Sequence, residues 1–434
     1  MANLSDRLKD AIQSRHLRME SLPFVTALSG GTLPRDCYIA QLRAMAVIHA
    51  ALDRELDYTG AEQIPDRPSR LAHLRADLSI LDCFTSPDCL AAARQALHIA
   101  AVIRQGDSGQ TADRLTGFRY VLEGMTLGNV MHLPDAVRCL GDQGSEAVRY
   151  YAGYGERTAE CWEVFRCTLD RIPVGSHRQE RIIAAAHELF DLLEPLYASL
   201  YPVPADGWGF TAGMLNPEAG SHQVPGTAAE IEAAVTAARR CREEFPYFDE
   251  RFRERGQAFA RSDAAWLVTL GSLDPDQLLA QTEWLGRVLG NRGMPRITLE
   301  RQLFLLYEEL ARLGPEQARA AAALVTAARS LESERSGYLP EPLFRQIARR
   351  FYEATDSELQ GRFLRTGELI AAAVCDEAAG ITGAVTSLIP WLTDGSRFDS
   401  NWTAAVHDTV AAARRGVVSR STTDHKPQQL KGTQ

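Results

Sequence analysis

The sequence predicts an all-α protein, and three observations carry that reading. Nearly every long segment spaces its apolar residues three, four and seven apart, the period of one helix face. The alternating Val, Ile and Thr pattern of a half-buried strand is almost missing. Proline falls at Pro34, Pro87 and Pro134, at or near first helical turns, where a residue without an N–H is tolerated.

At 434 residues the chain exceeds what one core usually serves, so two domains are expected. In the first, the periodicity predicts helices at about 5–20, 34–57, 68–82, 87–104, 111–131, 134–139, 144–169 and 177–200. The run YPVPADGWGFTAGMLNPEAGSHQVPG has no period and reads as a linker, with Trp208 and Phe210 packing part of it onto a surface. Helical pattern returns from 226 to about 412, in stretches such as TAAEIEAAVTAARRCREEF, PDQLLAQTEWLGRVLGNRG and LPEPLFRQIARRFYEA. The closing tract VSRSTTDHKPQQLKGTQ is polar and aperiodic and reads as disordered. The expected division is 1–204, a linker over 205–225, a second helical domain over 226–412 and a tail over 413–434.

Composition narrows the function classes. Hydrophobic residues at 45% and charged residues at 24% fit a folded soluble protein. A net charge of -9 and the lack of a basic stripe argue against nucleic acid as a partner. The cysteines Cys37, Cys83, Cys89, Cys139, Cys161, Cys167, Cys241 and Cys375 form no CxxC pair and no zinc spacing, which suits a reducing compartment. The N-terminal run MANLSDRLKD has no apolar signal core, and no segment reaches about 18 uninterrupted apolar residues, so no membrane span and a cytoplasmic location are expected.

Two stretches carry chemistry. In LSDRLKDAIQSRHLRMESLPFV, a helix from Ser5 puts Lys9, Ile12, His16, Met19 and Glu20 along one stripe. An imidazole among apolar neighbours, with a cation two turns upstream, suits a flat, dianionic, iron-bearing ligand such as heme; a satisfied core or surface histidine is the other reading. Seven helical residues rise about 10 Å, matching the span from a porphyrin iron to its propionates. Lys9 is also the one lysine outside the tail, which holds Lys426 and Lys431. In FRYVLEGMTLGNVMHL, Tyr120, Gly124 and Gly128 share a face. Interior helix glycine costs about 1 kcal/mol relative to alanine, so the pair calls for close approach of either another helix or a flat ligand.

The first stretch resembles the opening helix of the heme oxygenases, and the second resembles the distal helix of the bacterial members, close to YVLEGSTLGG. By that resemblance Lys9 meets a propionate, His16 is the proximal iron ligand, Glu20 completes the pattern, and Tyr120 contacts the propionate region. Gly124 and Gly128 then form the wall over the iron where dioxygen binds. Two positions depart from the pattern: Met125 and Asn129 stand where the family has small residues. A third block, YYAGYGERTAECWEVF, is similar to the family's aromatic, GYG and tryptophan run, and implies that Trp162 packs at the porphyrin edge and Arg166 pairs with a propionate. RQERIIAAAHELFDLLEPLY is similar to the closing helix, so the resemblance covers about residues 4–202.

The resemblance implies oxidative opening of heme to biliverdin, with release of iron and carbon monoxide. Heme is then substrate and cofactor together, and a ferredoxin or reductase supplies electrons; a second copy of the chain, as a homodimer, is the other partner expected. The alternative on the same fold is a non-catalytic heme- or bilin-binding sensor in which Met125 and Asn129 close the distal pocket. An enzyme of this fold acting on thiamin-like metabolites is disfavoured, because the match is to the heme pattern.

Other patterns fail on their own chemistry. GYGERT lacks a preceding strand and the full GxGxxG of a dinucleotide loop. His49, His73, His98, His132, His177 and His187 form no HExxH. The carboxylates of LYEEL and CDEAAG have no partnering histidines at helical spacing, and no histidine lies between His222 and His407 to ligate a second heme.

Overall fold

The computed structural model describes residues 3–59, 69–81, 86–105, 111–144 and 146–417, and these are helical almost throughout, as the periodicity predicts. The chain divides into two compact units, Met1–Glu232 and Ala233–Gln434.

In the first unit the helices are α1 (Leu4–Glu20), α2 (Pro23–Ser29), α3 (Arg35–Thr59), α4 (Arg70–Ile80), α5 (Leu90–Arg104), α6 (Thr111–Met131), α7 (Leu133–Leu140), α8 (Arg149–Ala152), α9 (Thr158–Asp170), α10 (His177–Leu200) and α11 (Ala212–Leu215). Every residue of α3 from Cys37 to Leu52 is buried, as expected of a helix apolar on all sides. It packs on α4 and α5, while α10 packs on α1, α5 and α6. These two long helices make the core, and α10 also underlies the functional side chains.

Three expectations change in this unit. The helix predicted over 144–169 is broken into α8 and α9, because Gly153 and Gly155 take φ of 63° and 60°, a left-handed turn that ends a right-handed helix. α2 was hidden by its brevity, although Pro23 stands at its first position. The run expected as a linker folds onto the first unit. β2 (Trp208–Gly209) pairs antiparallel with β1 (Asp88–Cys89), Thr211 Oγ1 donates to Asp88 at 2.9 Å, Arg75 pairs with Glu218 at 3.3 Å, and Met214 and Leu215 are buried.

The second unit is built from α12 (Ala228–Glu244), α13 (Tyr247–Leu270), α14 (Pro275–Gly290), α15 (Ile297–Leu313), α16 (Pro315–Ala320), α17 (Ala322–Tyr338), α18 (Glu341–Glu353), α19 (Ser357–Arg362), α20 (Thr366–Ala378), α21 (Gly383–Leu392) and α22 (Ser400–Gly416). α22 runs past residue 412, and the remainder of the expected disordered tail, 418–434, lies outside the described residues. α15 packs on α17, and α20 packs on α18, α21 and α22. Buried charge pins these layers together. Arg296 donates from its backbone N–H and Nε to the two oxygens of Asp376, each at 2.8 Å, and pairs with Glu334 at 2.8 Å; Arg335 pairs with Glu300 at 3.1 Å and Glu341 at 3.0 Å. The carboxylates of the LYEEL and CDEAAG runs, without partnering histidines, are thus partly interior and paired with arginine: Asp376 is 3% exposed.

Candidate functional site

α1 is held on α10 by both apolar and charged contacts. Leu4, Leu8 and Met19 are buried, Ile12 packs against the same core, and the His187 imidazole donates to the Ala11 carbonyl at 3.0 Å. On the outer flank Arg15 makes two hydrogen bonds to Asp191, at 2.7 and 2.9 Å, and Arg18 donates to Glu194 at 3.1 Å. With the apolar seam turned to α10, the other edge of α1 carries Lys9, His16 and Glu20, all exposed. Met19, read in one stripe with His16, instead belongs to the buried seam about 60° away around the helix.

His16 is 54% exposed and lies edge-on to Phe190, with ring centroids 6.4 Å apart. Its Nδ1 is 3.3 Å from Glu20 Oε1. A carboxylate on Nδ1 fixes the tautomer and turns Nε2 outward as the lone-pair donor, the arrangement that orients metal-ligating histidines.

α9 sets the height of the opposite wall. The Ser5 N–H and Oγ donate to the Asp170 carboxylate at 2.9 and 3.1 Å, so α1 and α9 run antiparallel. α6 is antiparallel to α9 as well: the Arg119 guanidinium lies 5.2 Å over Phe165, Tyr120 packs on Trp162 at 5.5 Å, and Tyr154, just before α9, donates to Glu123 at 3.1 Å. α1 and α6 therefore run in the same direction on either side of α9, and they make at most marginal contact with each other. α10 gives the same register, since Ala11 stands against His187 and Gly117 against Ile182–Ala186. Counting about 1.5 Å per residue from these anchors, His16 comes level with the Gly124–Gly128 segment.

The glycines of α6 serve two purposes. A Cβ on Gly117 would sit 2.4 Å from the Ile182 carbonyl oxygen and 2.7 Å from Ala185 Cβ, so this glycine, which the sequence reading passed over, is the one required for close helix packing. A Cβ on Gly124 meets only the Trp162 ring, at 3.7 Å, and one on Gly128 meets nothing within 4 Å. The GxxxG pair is not spent on a neighbouring helix; the backbone of α6 is bare on the face that carries it.

Cationic and aromatic groups gather at one end. Arg166 donates to Ser5 Oγ at 3.3 Å, pairs with Glu163 at 3.1 Å, and is one-third exposed. Lys9, one turn along α1, makes no salt bridge among the described residues. Tyr120 is buried against Trp162, and burial pushes its phenol up to about 12, with nearby Arg166 pulling the other way. The phenol is accordingly a hydrogen-bond donor at neutral pH.

Met125 and Asn129 lie off the bare face. Met125 is half-buried against the core. Asn129 is buried and sits against the Tyr150 hydroxyl, in a cluster where Tyr150 also approaches His49 at 3.5 Å. About 100° of helix separates Asn129 from Gly128, so its amide belongs to the tyrosine-lined interior. His132, among the histidines set aside, pairs with Asp135 at 3.3 Å.

Among the described residues no group of three or more His, Cys, Asp or Glu is arranged to hold a metal ion, and no helix is long and apolar enough to cross a membrane. Residues 2–198 match the family model described as heme oxygenase. No curated protein matches the chain.

Proposed function

The N-terminal part of this chain is a heme oxygenase family domain, and from that premise we propose that it opens heme oxidatively to biliverdin, with release of iron and carbon monoxide. The observation that carries the proposal is the pairing of His16, its Nδ1 held by Glu20, with a bare stretch of α6 at the same height.

Heme is the substrate and brings the iron at which dioxygen reacts; the residues bind, orient and exclude. His16 Nε2 would hold the heme iron, with Nδ1 turned to the Glu20 carboxylate. The missing side chains at Gly124 and Gly128 would leave room for dioxygen beside the bound heme. Lys9 and Arg166 fix the in-plane orientation by pairing with the two propionates, while Trp162 bounds the ring edge and Tyr120 donates from its neutral phenol. Met125 and Asn129 are turned toward the protein interior, which favours turnover over the closed, non-catalytic pocket of a sensor. Electrons come from a ferredoxin or a reductase.

The test is to add hemin to the full chain, then ascorbate or a ferredoxin reductase system in air, and to follow the visible spectrum. Decay of the Soret band with a rising bilin band is expected. A Soret band that forms and persists would refute turnover and leave binding. No hemin uptake would overturn both. His16→Ala should lose the axial-ligand spectrum while the far-UV circular dichroism stays helical; an unchanged heme spectrum removes His16 from the site.

A further inference from the structure

A concavity of the first unit, about 340 Å³, is bounded by α4, α8 and the start of α9. Arg149 and Arg157 line it, with His73, Tyr154, Gly155 and Cys161; none of its lining residues is Asp or Glu. The GYG turn rejected above as a dinucleotide loop forms one wall. The Gly153 Cα faces Thr126 and Val130, on the side of α6 away from Gly124 and Gly128, so this cleft is separate from the proposed heme site.

The two guanidiniums are only loosely committed to carboxylates. Asp77, the acid nearest Arg149, already accepts the backbone N–H groups of Arg149 at 3.0 Å and Tyr150 at 2.8 Å, which leaves the Arg149 guanidinium at 3.9 Å and 51% exposed. Among the described residues Arg157 pairs only with Glu160 on the next turn, at 3.3 Å, with both side chains more than half exposed, a kind of pair that contributes little. His73 supplies no negative charge to either guanidinium; burial, then the neighbouring Arg70 and Arg149, hold its pKa below the usual value. At Gly155 the backbone is uncovered, since a Cβ there meets nothing within 4 Å.

We propose that this cleft binds a small phosphate-bearing ligand, with Arg149 and Arg157 as its two contacts. Guanidinium forks match phosphate oxygens in bidentate geometry, and a concavity of this size holds a small metabolite. The proposal does not rest on heme chemistry.

Inorganic phosphate and pyrophosphate, titrated separately into the full chain at constant ionic strength set with chloride, provide the probes, read by calorimetry. Saturable binding is expected, tighter for pyrophosphate, and weakened at least tenfold in the double variant Arg149→Gln, Arg157→Gln. Arg345→Gln, which removes one positive charge from the exposed face of α18, should leave it intact, while Arg149→Gln or Arg157→Gln alone should already weaken it. Heat that does not saturate, or an equal loss in Arg345→Gln, overturns the proposal as general charge screening. Binding that survives the double variant overturns it as well, by placing the anion elsewhere. Both arginines are exposed, so a folding failure is not expected, and circular dichroism of the variant checks it.

Discussion

Gly128→Ala and Gly117→Ala should move stability in opposite directions, although both make the same chemical change on the same helix. Replacing an interior helix glycine by alanine contributes about 1 kcal/mol from backbone entropy alone. At position 128 nothing within 4 Å opposes the new methyl, so the full gain is expected, about 2–4 °C in melting temperature for a unit of this size. At position 117 the methyl would lie 2.4 Å from a backbone oxygen and 2.7 Å from Ala185 Cβ. Neither neighbour is the flexible end of a side chain, so α6 and α10 must part by about 1 Å, and overpacking of that kind costs about 1–3 kcal/mol. The net loss expected is up to about 2 kcal/mol. Circular dichroism melts of the full-length variants measure both effects, and a hemin titration on the same samples gives the second axis. Gly128→Ala should melt higher yet take up hemin poorly or turn it over slowly, while Gly117→Ala should melt lower and keep whatever heme binding its remaining fold allows. Equal destabilisation by the two alanines would refute the separation of a packing glycine from a ligand-face pair.

Asp263 supplies a pH test: burial raises its carboxyl to about 7, with Arg292 opposing. A carboxyl raised in the folded state holds its proton more tightly there than in the unfolded chain, so its contribution to stability is greatest at low pH and is lost as pH rises from about 4 through 7. The whole interval corresponds to an upper bound of about 4 kcal/mol; because the side chain is partly open to solvent, about 1–2 kcal/mol is expected after screening. Asp263→Asn should therefore match the parent at about pH 3.5 and melt progressively higher than it up to about pH 7, and a difference that is flat with pH would contradict the assignment. Asp376→Asn leaves Arg296 buried with one formal partner, Glu334, and should destabilise the second unit by about 3–5 kcal/mol in urea melts; a loss under 1 kcal/mol would mean that the interior charge is compensated elsewhere. Arg15→Ala removes an exposed two-bond pair with Asp191 and should cost less than about 1 kcal/mol, measured by the same melts.

Periodicity reported α6 and α10 to the residue, Thr111–Met131 and His177–Leu200, because both are long and end on distinct chain signals. It failed where helices are short or where a glycine turn interrupts a continuous pattern, as at α2 and at Gly153 and Gly155. The run from 205 to 225 looked like a tether because proline and glycine erase periodicity, yet Trp208 and Leu215 anchor it without needing any period. Lys9, His16 and Glu20 were legible as neighbours along one edge of α1, since that needs only a helical count. What could not be read was depth. Whether Asn129 turned inward, and whether Gly117 or Gly124 met a neighbour, depends on contacts made far away in sequence, with Tyr150 and Ile182. The inward-facing Asp376 escaped for the same reason: a carboxylate beside alanines reads as surface until an arginine from another helix is found against it.

The two walls beside α10 are fastened by unlike means. α6 is seated by backbone atoms in mutual contact at Gly117, an attachment that cannot give without unseating the core. α1 rests on a narrower apolar seam and is tied along its outer edge by Arg15 and Arg18, whose ties are exposed and therefore weakened by salt. Added salt therefore slackens the outer ties of the helix that bears His16 and leaves the backbone contact at Gly117 untouched.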